Sequence, residues 1–163
     1  MIKVAIITVS DKGARGQRED LSGEAIRFIL EKIEAQVVGY KIVPDEIDLI
    51  QAAIIEAVDR IGADLILTTG GTGLAVRDVT PEATMAVIDK LVPGISEIIR
   101  MESFKKTPKA ILSRAIAGIR KKSLIINLPG SPKGVRESLD IILEALPHGI
   151  DILKGEASEC GKE

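Results

Sequence analysis

The sequence is nearly free of aromatic residues: two phenylalanines, one tyrosine and no tryptophan make up 2% of 163 residues. Any core must therefore be built from Ile, Leu, Val and Ala, within an apolar fraction of 45%. Only one cysteine is present, Cys160 near the C-terminus. A disulfide framework is excluded, and a reducing compartment is the simple expectation. There is also a single histidine, His148, and no Cys or His spacing suited to metal ligation, so zinc is not expected. Neither sign of charge dominates. The net charge of −2, with both signs interspersed, gives no global field for nucleic acid or for an anionic membrane. No apolar run is long enough to span a bilayer, and the N-terminus has no signal-peptide cleavage region, so a soluble, cytoplasmic chain is expected. Repeats and low-complexity segments are absent as well.

The length suits one domain, which can bury roughly 70% of its unfolded surface. The sequence predicts that domain over residues 1–154, followed by a polar tail over 155–163. The chain opens on an apolar strand, Ile2 to Val9, whose nearly continuous pattern suits a parallel sheet covered on both faces. The eleven residues from Ser10 to Asp20 are polar or small. That is long for a βα connection of about 2–6 residues, and such excess tends to be functional. A helix then starts near Ser22 and Gly23, with Leu21, Ala25, Phe28, Ile29 and Ile33 as its expected apolar face. Residues 36 to 43 read as a second strand ended by Pro44. Asp45 follows at a strand-to-helix junction, where a plain N-cap is the simplest role. Ile47, Ile50, Ile54, Val58 and Ile61 mark the next helix.

Residues 65 to 68 form a third strand that runs into Thr69-Gly70-Gly71-Thr72-Gly73. Thr80-Pro81-Glu82 then reads as a helix start, with Thr80 capping and Pro81 at the first helical position. A strand, a glycine-lined loop and a helix N-terminus together form an anion-binding design, although a lone Gly-rich turn is often only a tight connection. The loop is neither a Walker loop nor a dinucleotide fingerprint, since no Gly-Lys-Ser/Thr follows and Val76 replaces the third glycine. Beyond it, Pro93-Gly94 separates the helix carrying Val87 and Ile88 from one carrying Ile95, Ile98, Ile99, Met101 and Phe104, which Pro108 ends. Lys121-Lys122 suggests a hairpin turn before the strand Leu124 to Leu128. Pro129-Gly130-Ser131-Pro132 then repeats the strand–glycine–cap design. Its helix is expected to run to about Leu146, with a last short helix over residues 147 to 153.

Alternating strands and helices predict an α/β layered fold with a mostly parallel sheet. Ligands in such sheets sit beyond the carboxyl ends of the strands, and Ser10-Asp11, Pro44-Asp45, Thr69 to Asp78 and Pro129 to Ser131 all fall there. Carboxylates beside a phosphate site need a reason, and Mg²⁺ held by Asp45 and Asp78 together with phosphate oxygens supplies one. A salt bridge from Asp78 to Arg77, or a cap by Asp78 on the helix starting at Thr80, is the simpler alternative. Arg114 and Lys133 are candidate phosphate partners. Ser113 is either a ligand contact or a turn residue.

These stretches resemble the molybdopterin adenylyltransferases of molybdenum-cofactor biosynthesis, the MogA/MoaB-like family that includes gephyrin-type G domains. The matching segments are Val9-Ser10-Asp11, Asp20-Leu21-Ser22-Gly23, residues 42 to 46, residues 65 to 73, Arg77 to Thr84, Leu112-Ser113-Arg114, Gly118 to Arg120, Ile125 to Ser131 and Leu146-Pro147-His148. The resemblance implies a three-layer sandwich of the MogA/MoaB-like, molybdopterin-binding type. It also implies a homotrimer that joins AMP from Mg-ATP to the terminal phosphate of molybdopterin, releases pyrophosphate, and hands its product to a molybdate-inserting partner. Asp45 and Asp78 match the family's acidic residues tied to Mg²⁺ and catalysis. Ser10, Asp11, Asp20, Ser22, Gly23, Thr69, Gly70, Gly71, Thr72, Gly73, Thr80, Pro81, Ser113, Arg114, Asn127, Pro129, Gly130 and Ser131 fall in segments expected to line the nucleotide and pterin-phosphate site. Leu74-Ala75-Val76 departs from the Pro-Ala-Arg often found in Mog-type members, which removes one positive charge. Pro44-Asp45 and Arg77-Asp78 keep the catalytically competent pattern. The alternative is a paralogue that binds molybdopterin without turning it over.

Overall fold

A computed structural model describes residues 1–156; Cys160 and most of the expected tail lie outside the described residues. The chain builds a six-stranded sheet in the order β2-β1-β3-β6-β5-β4. Its strands are β1 (Ile2–Val9), β2 (Ala35–Val43), β3 (Leu65–Thr69), β4 (Lys90–Leu91), β5 (Ala117–Arg120) and β6 (Ser123–Leu128). β2, β1, β3 and β6 are parallel, whereas β5 and β4 add an antiparallel edge. The helices are α1 (Asp11–Ala14), α2 (Leu21–Leu30), α3 (Ile47–Ile55), α4 (Thr80–Met85), α5 (Pro93–Phe104), α6 (Pro132–Ile142) and α7 (Leu146–Lys154). A π-turn over Glu56–Arg60 continues α3, and 3₁₀ turns cover Pro108–Leu112 and Leu143–Ala145.

Strand alternation separates the core into two layers. Val4, Ile6, Leu65, Leu67, Leu124 and Ile126 face α2, α6 and α7, while Ala5, Ile7, Ile66 and Ile125 face α3 and α4. The result is the expected three-layer sandwich, with β3 and β6 buried along their whole length. β1 leads through α2 to β2 on one side, and β3 then pairs with the other side of β1. The sheet order therefore reverses between β1 and β3, which opens a crevice beyond their carboxyl ends.

Several local expectations change. The buried stripe of α2 is Ala25, Ile26, Ile29 and Leu30, with Ile33 packed against it, whereas Leu21 and Phe28 are exposed, Phe28 at 61%. Apolar residues surround most of this helix, so periodicity alone permits either stripe. On α5, Ile99 is buried, while Met101 and Phe104 are exposed. The helix before Pro93 stops at Met85, and the two-residue strand β4 intervenes. Pro108 opens a 3₁₀ turn rather than ending α5. A second 3₁₀ turn interrupts the path from α6 to Leu146. Thr80 is the first residue of α4 and caps nothing: Val79 holds the cap position, and the Thr80 hydroxyl donates to the Gly70 carbonyl at 2.9 Å. Asp45 is not a cap either, since Glu46 precedes α3 and makes no side-chain cap bond.

The hairpin of β5 and β6 turns where Lys121-Lys122 was expected to turn it, with Lys121 at φ 54°. Ser131 caps α6 by accepting from the Gly134 N–H at 3.0 Å, and Pro132 opens that helix. Asp20 caps α2 and is the most heavily bonded carboxylate among the described residues. It accepts from the Thr8 hydroxyl (2.6 Å), the Ser22 hydroxyl (3.0 Å), the Gly23 N–H (2.9 Å) and the Tyr40 hydroxyl. Burial alone would raise its pKa, but these donors together hold it below the ordinary carboxylate value of 3.8.

A carboxyl whose pKa is lowered by folding contributes stability above 3.8 that is lost as pH falls through its folded-state value. Replacing Tyr40 with Phe removes one donor to the ionised form. The variant is expected to lose about 1 kcal/mol at neutral pH, a value kept low because the group is partly solvated. The gap between wild type and variant closes as pH drops below 3.8. Urea unfolding across that range measures it, and a gap that does not change with pH contradicts the assignment.

Candidate functional site

The crevice between β1 and β3 is a cavity of about 500 Å³, well within the size range of small-molecule sites. Thr8, Val9 and Ser10 line it from the end of β1, and Thr69, Gly70 and Gly71 from the end of β3. Asp45 lines it from the end of β2, Asp78 from the glycine loop, and Gly130 from the end of β6. The long connection after β1 supplies a further wall through Gly13, Arg18, Glu19 and Asp20, continued by Leu21 and Ser22 of α2. Ser10 caps the one-turn α1 within that connection, accepting from the Gly13 N–H at 3.0 Å, so the segment folds back onto the crevice.

The glycines serve the loop's own packing first. Gly70 has φ 97°, and a Cβ there would overlap the Val9 carbonyl oxygen. Gly71 has φ 67°, and its Cβ would overlap the Thr80 hydroxyl and lie 3.3 Å from Asp45 Oδ1. At Gly73 a Cβ would lie 2.8 Å from Asp78 Oδ2. The missing side chains therefore let β1, α4 and both aspartates close around one short loop. Thr69 ties this loop to the second corner by donating to the Pro129 carbonyl at 2.6 Å.

Asp11 and Asp45 exchange bonds. The Asp11 N–H donates to Asp45 Oδ2 at 2.9 Å, and the Asp45 N–H donates to Asp11 Oδ1 at 3.1 Å. Arg77 closes the arrangement, donating from Nε and Nη2 to the Asp11 carboxylate at 2.6 and 2.9 Å. This ion pair holds Asp11 down at about 2. Asp45 shifts the other way: burial, with the charges of Asp11 and Asp78, raises it above 3.8 against the opposing pull of the Asp11 N–H and Arg77. The Asp78 carboxylate accepts from the Ala75 N–H at 2.9 Å and does not pair with Arg77, so the expected alternative of an Arg77–Asp78 salt bridge is replaced by Arg77–Asp11.

Of the residues predicted for the site, Ser10, Asp20, Ser22, Asp45, Thr69, Gly70, Gly71, Asp78 and Gly130 line the cavity. Asp11, Gly23, Gly73, Thr80, Pro129 and Ser131 brace it through the contacts just described. Thr72 is buried behind it, and its carbonyl accepts from the Arg114 N–H at 2.9 Å. Pro81 is buried in the first turn of α4.

Three predicted site residues are placed off the wall of this cavity. Arg114 is not free for a phosphate: it donates to the Gly73 carbonyl (2.8 Å) and the Asp78 carbonyl (2.6 Å) and pairs with Glu82, fastening both ends of the glycine loop. Asn127 is 1% exposed and fully engaged inside the fold. Its Nδ2 donates to the Thr68 and Thr84 hydroxyls, both at 2.9 Å, and its Oδ1 accepts from the Ile116 N–H. Ser113, together with Asn127 and Arg100, lines a separate cavity of about 70 Å³. The sequence reading missed Thr8 and Arg18. The only signal for Thr8 was a hydroxyl at the end of an apolar strand, and for Arg18 the excess length of its loop.

Known proteins share this fold. The family described as "Probable molybdopterin binding domain" matches residues 5–148. The chain is 48% identical over 164 residues to a molybdopterin adenylyltransferase of Helicobacter pylori, covering 99% of this chain and 93% of that protein. The crystal structure of the molybdopterin biosynthesis enzyme MoaB from Thermus thermophilus superposes with a TM-score of 0.91 at 50% identity, covering 98% and 100% of the two chains. The tungsten cofactor synthesizing protein MoaB of Pyrococcus furiosus gives 0.85 at 39% identity, covering 97% and 98%. The family match over most of the chain and these likenesses establish that the chain belongs to the molybdopterin-binding family of molybdenum-cofactor biosynthesis proteins.

Proposed function

We propose that this chain is a nucleotidyltransferase that transfers AMP from ATP to the terminal phosphate of molybdopterin. The observation that carries this reading is the meeting of two phosphate-type corners on one cavity, Thr69 to Gly71 and Gly130, beside the acidic pair Asp45 and Asp78. The adenylyltransferase relatives support the same chemistry. In the reaction an oxygen of the pterin phosphate attacks the α-phosphorus of ATP. The α–β phosphoanhydride bond breaks, pyrophosphate leaves with the bonding electrons, and a new phosphoanhydride joins AMP to the pterin. The glycine loop lets phosphates approach the backbone, and the ordered walls hold the reacting atoms in line.

The residues present fit a divalent cation. Burial and the charges of Asp11 and Asp78 push Asp45 up, a repulsion that a cation relieves. Among the described residues no group of three or more Asp, Glu, His or Cys side chains forms a closed metal cage. A cation held by Asp45 and Asp78 would thus complete its shell with water and phosphate oxygens, the habit of Mg²⁺. When bound, Mg²⁺ supplies charge neutralisation at the transferring phosphoryl group.

The trimer is part of the same reading. Ile95, Ile98, Ile119, Leu124, Ile141 and Ile152 line an apolar groove of about 470 Å³ away from the cavity, a surface suited to subunit contact and tested by sedimentation mass. Among the described residues no helix is long and apolar enough to cross a membrane. Residence in the cytoplasm and transfer of the product to a molybdate-inserting partner complete the proposal.

The test uses ATP labelled at either end. With molybdopterin and Mg²⁺ present, α-label is expected on the pterin and γ-label in pyrophosphate. Release of inorganic phosphate from ATP without pterin would indicate a phosphohydrolase instead, and binding without label transfer would indicate a scaffold.

A further inference from the structure

The phosphates of both substrates bring negative charge into a cavity already lined by Glu19, Asp20, Asp45 and Asp78. Besides any metal, a counter-charge must come from the protein, and most candidates are already committed. Arg77 is bound to Asp11, with Glu46 nearby at 3.9 Å. Arg114 is bound to two loop carbonyls and Glu82. Lys133 is near the start of α6 and is not a lining residue, and Val76, where a family arginine is often found, is 97% exposed and also off the cavity wall.

Arg18 is the cation that remains. It lines the cavity, and among the described residues its guanidinium makes no hydrogen bond or ion pair. The segment that carries it is fixed at both ends. Before it, the Gly16 N–H donates to the Gly13 carbonyl and the Gln17 N–H to the Lys12 carbonyl, at 3.0 and 2.9 Å. After it, the many-bonded Asp20 caps α2. Arg18 thus lines the cavity from an anchored loop with no partner for its guanidinium among the described residues, and the planar donor fork of that group matches phosphate oxygens. This also accounts for the length of the β1–α2 connection, which a simple turn would not require.

We propose that Arg18 is the phosphate-clamping residue of this cavity, an assignment that rests on the adenylyltransferase reading and adds a substrate-binding group to it. The phosphate it clamps belongs to ATP or to molybdopterin, and separate KM values distinguish the two.

The experiment compares the full-length wild type with Arg18→Ala, Arg18→Lys and Arg15→Ala, the last a neighbouring guanidinium that is not a lining residue. Arg18→Ala is expected to raise the KM of one or both substrates by at least about tenfold, with a smaller effect on kcat. A higher KM for ATP places the guanidinium on the nucleotide, and a higher KM for molybdopterin places it on the pterin phosphate. Arg18→Lys should recover part of the loss, because it keeps the charge without the fork. Arg15→Ala should stay within about twofold of wild type. The proposal is overturned if both KM values of Arg18→Ala stay within about twofold, or if Arg15→Ala shifts them equally. If the wild type makes no adenylylated pterin, the functional reading fails by itself. Calorimetric titration of wild type and Arg18→Ala with ATP and with molybdopterin then decides the assignment alone, and equal affinities for both ligands overturn it.

Discussion

Replacing Asp78 with Ala is expected to leave a folded protein that has lost roughly 10²–10³-fold in AMP transfer. The carboxylate lines the cavity beside Asp45, and its one bond within the described residues is to the exposed Ala75 N–H at 2.9 Å. Removing it costs the fold little, because Arg114 still fastens the loop through the Gly73 and Asp78 carbonyl oxygens, which the substitution keeps. In the proposed reaction it is expected to cost a charge next to the transferring phosphoryl group. Product formation and thermal unfolding of the variant are measured side by side. A fully active variant would sink the catalytic assignment, and a variant that fails to fold would give Asp78 a structural role instead.

Replacing Gly70 with Ala is expected to do the opposite, lowering stability before anything else. Gly70 has φ 97°, where an L side chain is strained, and the added methyl would overlap the carbonyl oxygen of Val9. Neither side of this clash can move cheaply. Val9 is held in β1 between β2 and β3, and the Gly70 N–H is held by the Leu128 carbonyl at 3.2 Å. A loss of about 3 kcal/mol is expected, lowering Tm by roughly 6–12 °C for a chain of this size. Equal Tm values for Gly70→Ala and wild type would show that the loop is not packed against β1 as described.

These two variants separate features that look alike in the sequence. The buried parallel strands were legible because their apolar runs are local, unlike the two exposed residues of β4, and the Ser131-Pro132 helix start was legible because a cap needs only neighbouring residues. The gathering of polar corners at one sheet edge followed from the parallel order alone. The roles of the basic residues did not. Arg114 resembles a phosphate ligand in the sequence, yet it binds carbonyls of Gly73 and Asp78, far away along the chain. Arg77 sits next to Asp78 but pairs with Asp11 near the start of the chain. Asn127 occupies a motif segment and nevertheless spends its amide on Thr68 and Thr84. In each case the partner is set by the fold, and no spacing rule reaches that far. The same holds for Leu74-Ala75-Val76, which stands exposed at the loop tip, with Leu74 at 65%, and is no part of the cavity wall.

The proposed reaction needs one cavity to bring ATP and molybdopterin together under Asp45 and Asp78. Its most direct test is incubation of the wild-type protein with both substrates, with and without Mg²⁺, followed by mass analysis of the pterin. An added AMP on the pterin phosphate and an equal amount of pyrophosphate are predicted, with both products lost when Mg²⁺ is withheld. Pterin recovered unmodified in the complete mixture, or modified equally well without Mg²⁺, would contradict it.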